Sequence, residues 1–194
     1  GTRALRNVIL DMALTAKVEG AVEWAEQQYD NASCMTERFG ALKAMVNHQV
    51  ANADEYLADF YKRFQADDLV IDLWFSVQAS ANKVSADDIQ SLLEHEDFDW
   101  NTPNRVRSVI SAFSSQPTAL WTPEGLVLYT GVIKKLDDAN PVLASRLVQV
   151  LARWNTLVEP RRQMAHDKLI DLQKQANSKH VLESLDSVLK ATNS

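Results

Sequence analysis

His95-Glu96 opens like the helical zinc motif H-E-x-x-H, in which two histidines four apart face one metal and the glutamate acts as base. The position four after His95 is Asp99, so the match fails at the second ligand. The other histidines, His48, His166 and His180, are scattered, and surface or capping roles are expected for all four. Cys34 is the single cysteine, which precludes an internal disulfide. It is a nucleophile candidate only by default, since a lone cysteine beside helical apolar residues is expected to be core or half-buried. The G-x-S-x-G, G-x-G-x-x-G and P-loop patterns do not occur. The expectation is a chain with no catalytic residue and no metal ligand of its own.

Arginine is the residue type whose placement stands out. Residues 1–104 carry 8 basic and 18 acidic groups, whereas residues 105–162 carry 8 basic and 4 acidic. The basic stretch contains Arg105, Arg107, Arg146, Arg153, Arg161 and Arg162. A planar guanidinium suits a carboxylate, so arginines converging on a cleft would bind a carboxylate-bearing ligand. The plainer reading is that each lays its methylenes on the edge of the core and keeps its head in water.

Those arginines sit on helical patterns. Val106, Val109, Ile110 and Phe113 form an i, i+3, i+4, i+7 stripe, with Arg105 and Arg107 on opposite flanks. Leu143, Leu147, Val150 and Trp154 form another, with Arg146, Gln149 and Arg153 along one flank. Helical spacing runs through nearly the whole chain, and its 5 glycines in 194 residues fall well below the usual ~7%. Ten helices are predicted near 2–14, 17–29, 35–49, 53–66, 68–79, 86–95, 103–114, 123–136, 141–155 and 160–176, with a last one near 179–191. Asn52 with Glu55 is shaped like a capping box, and Ser85 with Asp88 is an acidic version. Thr102-Pro103, Thr122-Pro123 and Asn140-Pro141 each pair a capping residue with a proline at the first helical position. Their spacing suggests antiparallel hairpins stacked as a curved, HEAT- or armadillo-like α-solenoid. The fold class expected is all-α, with residues 1–194 as a single helical domain. The five tryptophans, spread along the chain, are expected to fill packing gaps.

Composition narrows the function further. The formal net charge of -6 argues against a nucleic-acid or anionic-membrane partner. Hydrophobic residues at 46% and charged ones at 24% are globular proportions. No apolar run approaches the ~20 residues of a membrane helix. The chain begins at Gly1 without a methionine, as expected of a piece of something longer or of a chain whose tag was removed.

Several stretches resemble the bacterial aminopeptidase N (alanyl aminopeptidase) family of zinc peptidases. They are the run from Thr102 to Phe113, Asn140 to Leu147, Arg3-Ala4-Leu5-Arg6-Asn7, Met35-Thr36 with Ala41-Leu42, Leu69 to Phe75 with Gln78, and Arg161-Arg162-Gln163-Met164. They follow the family's order from Arg3 to Met164. The resemblance is to the C-terminal helical domain alone, and it implies that the zinc set and the amine-binding motif lie in a catalytic domain outside this chain. It further implies a lid that docks on that domain, closes the chamber and shapes the route of peptide substrates to zinc. Arg107 and Arg146 match the two arginines that face the chamber; Arg105, Arg153, Arg161 and Arg162 keep the snorkelling or salt-bridge reading. One departure is the segment Leu120 to Leu126, about two residues shorter than the family's loop and lacking its His and Asp. Family habit and the absent disulfide suggest the cytoplasm. The alternative is a free-standing helical-repeat scaffold that binds a protein partner; in either case the isolated chain is expected to be inactive.

Overall fold

The structure, a computed structural model, describes residues 1–190. Among them every regular element is helical, as expected. The helices group into two compact units, one spanning Gly1–Lys83 and the other starting at Val84.

The first unit holds α1 (Thr2–Thr15), α2 (Ala21–Asp30), α3 (Met35–Asn47), α4 (Ala53–Phe64) and α5 (Asp68–Ala79). The second predicted helix starts four residues late. Lys17 and Gly20 adopt φ of 53° and 80°, and this left-handed backbone cannot continue a right-handed helix. The capping box expected at Asn52 does not form. Its side-chain amide instead donates across to the Glu26 carboxylate on α2. Asp67 is a cap the sequence analysis missed: its Oδ1 accepts from the Leu69 and Val70 N–H groups at 3.0 and 3.3 Å. Leu42, Met45, Phe60, Ile71 and Phe75 form the fully buried core of this unit. A polar knot ties α1 down: Asn7 Nδ2 donates to the Thr36 carbonyl, and Gln28 Nε2 donates to Asn7 Oδ1 and to the Glu37 carbonyl.

The second unit holds α6 (Ala86–Leu93), α7 (Pro103–Ser114), α8 (Pro117–Leu120), α9 (Pro123–Ala139), α10 (Pro141–Val150), a 3-10 segment (Leu151–Thr156), α11 (Arg161–Gln175) and α12 (Lys179–Lys190). Ser85 and Asp88 make the expected reciprocal box. Thr122 and Asn140 cap the Gly125 and Leu143 N–H groups at 3.0 Å each. Thr102 makes no cap bond; its hydroxyl is turned to Asp99 and donates to Oδ2 at 2.6 Å. The helix expected over 141–155 changes to 3-10 geometry after Val150, and the short α8 was not foreseen. The last predicted helix matches α12 up to Lys190; its expected end at 191 lies outside the described residues. Residues of successive helices pack locally, α9 against α10 and α11, and α10 against α12.

The tryptophans divide. Trp74 and Trp121 are buried, and Trp154 is half-buried with its indole N–H donated to the Val188 carbonyl. Half-buried Trp100 carries the Lys135 ammonium 3.8 Å from its ring centroid. Trp24 departs from the expectation: half of it is exposed.

Candidate functional site

The arginine-rich region belongs to the second unit, where α7 and α10 pack against each other. The apolar stripe of α7 behaves as its spacing demands, with Val106, Val109, Ile110 and Phe113 fully buried. Leu143 and Leu147 bury α10 in the same way. These stripes fix which way the flanking arginines face.

Arg105 turns inward. It is only 5% exposed, and its guanidinium donates to the Asp97 carbonyl rather than snorkelling into water. It also helps hold the Asp99 carboxyl below the usual range, after the larger effects of the Thr102 hydroxyl and the Asn101 N–H. The buried arginine organises the turn that leads into α7.

Arg107 and Arg146 are both exposed. Arg107 Nη1 donates to Asn104 Oδ1 at 3.0 Å, one turn back on its own helix. Arg146 has no hydrogen-bond or ion-pair partner among the described residues. No hydrogen bond or ion pair joins the two. Neither has an acid three or four residues away on its helix. Of the four acids in 105–162, three are engaged elsewhere. Asp137 accepts from the Asn177 and Ser178 N–H groups, Asp138 accepts from the Asn177 amide, and Glu159 pairs with Arg162 at 2.8 Å. Arg107 and Arg146 therefore have no ion-pair partner among the described residues, and an exposed guanidinium of this kind suits an anionic ligand. Two clefts lie within the unit, of about 220 Å³ beside Lys134 and Lys168 and about 260 Å³ beside Ser85 and Thr122. Neither takes in Arg107 or Arg146.

The candidate metal ligands and the lone nucleophile are dispersed among the described residues. Among the described residues no group of three or more His, Cys, Asp or Glu is placed to hold a metal. His48 Nε2 lies 3.0 Å from Asp11, His95 Nδ1 accepts from the Asp97 N–H, and His166 lies against Trp154. Cys34 is half-buried in extended backbone just before α3. No described helix is long and apolar enough to cross a membrane.

Asp137 is the polar residue the sequence analysis overlooked. At 2% exposure it accepts from the N–H groups of Asn177 and Ser178, just ahead of α12 and some 40 residues along the chain, so no local spacing announces it. The only hint is an acid inside the apolar pattern of α9.

Comparison with known proteins agrees with the sequence resemblance. The chain is 30% identical to aminopeptidase N of Haemophilus influenzae, over 97% of this chain and 22% of that protein. Aminopeptidase N of Escherichia coli is 31% identical over 78% of this chain and 18% of its own length. The chain thus spans about a fifth of the curated relatives it matches. A crystal structure of Legionella pneumophila aminopeptidase A in complex with aspartic acid superposes with a TM-score of 0.88 at 29% identity, covering 96% of this chain and 23% of that one. Residues 1–190 match the family described as "Domain of unknown function (DUF3458_C) ARM repeats", in keeping with the stacked hairpins read from the proline spacing. With nearly its whole length matched, the chain belongs to the DUF3458_C family of ARM-repeat domains and is similar throughout to part of bacterial aminopeptidase N.

Proposed function

We propose that this chain is the helical, non-catalytic part of a longer aminopeptidase, where it closes the catalytic chamber and shapes substrate access. The observation that carries this reading is its similarity, over 97% of its length, to about a fifth of a protein named aminopeptidase N. A zinc ion bound in such an enzyme would supply Lewis-acid chemistry for the first peptide carbonyl and for water. The metal would be held outside this chain, since the described residues offer no cluster to bind it.

Within this reading Arg107 and Arg146 supply positive charge beyond the scissile bond, and Arg146 pairs with the C-terminal carboxylate of short peptides. Its exposure and its lack of an internal partner support that role. A hydrogen bond to a charged group contributes about 1.5–3 kcal/mol, or roughly 10–150-fold in affinity. In the longer enzyme Arg146→Ala is expected to raise KM for di- and tripeptides by up to that factor and to spare amide dyes without a carboxylate. Equal effects on both substrate types would refute the contact. Assayed alone, with or without added zinc, the 194-residue chain is expected to release no amino acid.

A free-standing scaffold for a protein partner is the second reading, favoured by the ARM-repeat description. An H-E-x-x-H in the reading frame ahead of Gly1 decides between them.

A further inference from the structure

The exposed large hydrophobic residues are unevenly shared. Nine of the twelve lie in the first unit and three, all valines, are scattered over the second. Four of the nine, Leu5, Val8, Ile9 and Met12, occur at i, i+3, i+4 and i+7 of α1 and are 59%, 54%, 54% and 63% exposed. Isolated exposed hydrophobics are ordinary on a protein surface, but a contiguous stripe marks an interaction site.

The same helix buries Leu10, Ala13 and Leu14 on its other side, against α2 and α3. An amphipathic surface helix needs one apolar face; α1 has two. A helix apolar on opposite sides is built to be covered on both. Clefts run along both flanks of the outward stripe. One, of about 640 Å³, is lined by Val8 with Phe39 and Leu73; the other, of about 390 Å³, is lined by Ile9 with Trp24. They account for the half-exposed Trp24 and for Leu73 on the open side of α5. Charge is kept off the stripe itself, with Arg6 and Asp11 at its edges.

We propose that this outward face of α1, with its two clefts, is the seat on which the remainder of a longer polypeptide packs through an apolar, weakly charged surface. The inference rests on the reading that the chain is part of a longer aminopeptidase, and it names the surface through which that part is attached. The length of the relatives supports this occupant over a second copy. About four-fifths of each matched relative lies outside the region this chain spans. A covalently linked partner acts at millimolar effective concentration and outcompetes a second molecule for the same face.

Met12 reports the cover directly. Thioether oxidation by dilute peroxide follows exposure, and fully buried Met45 serves as a control in the same digest. The test compares the 194-residue chain with the full product of its gene by mass spectrometry. The expected result is rapid oxidation of Met12 in the chain and at least about tenfold slower oxidation in the full product. Val8→Lys with Ile9→Lys in the full product should restore the fast rate. In the 194-residue chain the same pair should leave the thermal midpoint nearly unchanged, because both side chains are already exposed. Equal Met12 rates in the two proteins would overturn the proposal. Protection that grows with the concentration of the 194-residue chain alone would also overturn it, assigning the face to a second copy. A gene product of only 194 residues would end both this proposal and the parent-enzyme reading. An open Met12 in an active longer peptidase would end only this one.

Discussion

Two arginines of one motif, Arg105 and Arg107, have opposite fates because two helical steps, about 200° of rotation, separate core from solvent. Arg105 is buried on the Asp97 carbonyl and Arg107 is exposed. Asp137 shows the same dependence on position: its carboxylate holds the Asn177 and Ser178 N–H groups just ahead of α12, whose first turn Ser178 caps locally by accepting from the Val181 N–H. Asp137→Ala would leave two N–H groups without their acceptor, at a cost of about 1–3 kcal/mol by denaturant unfolding. Asp137→Asn should lose less, because its amide oxygen can still accept.

Acid sensitivity also belongs to individual residues. The Ser33 N–H and hydroxyl hold Glu37 below its ordinary value, as the Thr102 hydroxyl and the Asn101 N–H do for Asp99. Burial pulls Asp59 upward, but hydrogen bonds from Arg63 and Tyr29 outweigh it and leave it lowered. Carboxyls lowered by folding stabilise above their unfolded values of 3.8 and 4.5, and that contribution disappears as pH falls through the folded ones. The thermal midpoint should therefore hold from pH 7 to about 5 and drop below about 4. Tyr29 is shifted the other way, chiefly by burial and then by its bond to Asp59. Its contribution is complete below pH 10 and is lost as the pH rises further. A midpoint insensitive to acid would refute the carboxylate assignment.

Among the elements, the α8–α9 junction depends most on one small residue. A Cβ on Gly125 would sit 2.1 Å from the Ala119 carbonyl oxygen and 2.8 Å from that of Leu120. Both are backbone atoms at the end of α8, so neither can swing aside. Gly125→Ala should destabilise by about 1–3 kcal/mol, as overpacking does, measured by the denaturation midpoint at unchanged slope. The short segment from Leu120 to Leu126 thus brings the first turn of α9 directly against α8, with Thr122 capping it. Element boundaries were legible wherever capping chemistry was local. The range 68–79 for α5 and the proline-led starts of α7, α9 and α10 agree with the structure. Where a side chain found a partner elsewhere, as Asn52 did on Glu26 and Thr102 on Asp99, the expected cap was lost although the helix formed.

Across the molecule, arginine and exposed apolar surface are unevenly shared. The excess of arginine lies in the second unit and the exposed apolar stripe in the first. The proposed lid would need both functions, contact with an anionic substrate and attachment to the body it covers. The Arg146 and Met12 experiments probe them independently, one through KM and the other through oxidation rate.

Sequence by itself determined the helical class, most helix starts and the kinship with bacterial aminopeptidase N. These are properties of residues within a turn or two of each other, or of ordered motifs. Tertiary structure alone decided that Arg105 is buried while Arg146 has no polar partner among the described residues, that Asp137 holds the backbone ahead of α12, and that a second apolar face of α1 is left exposed among the described residues. A periodic pattern says that a side is apolar, but only the packing of neighbouring helices decides which sides they fill and which they leave open.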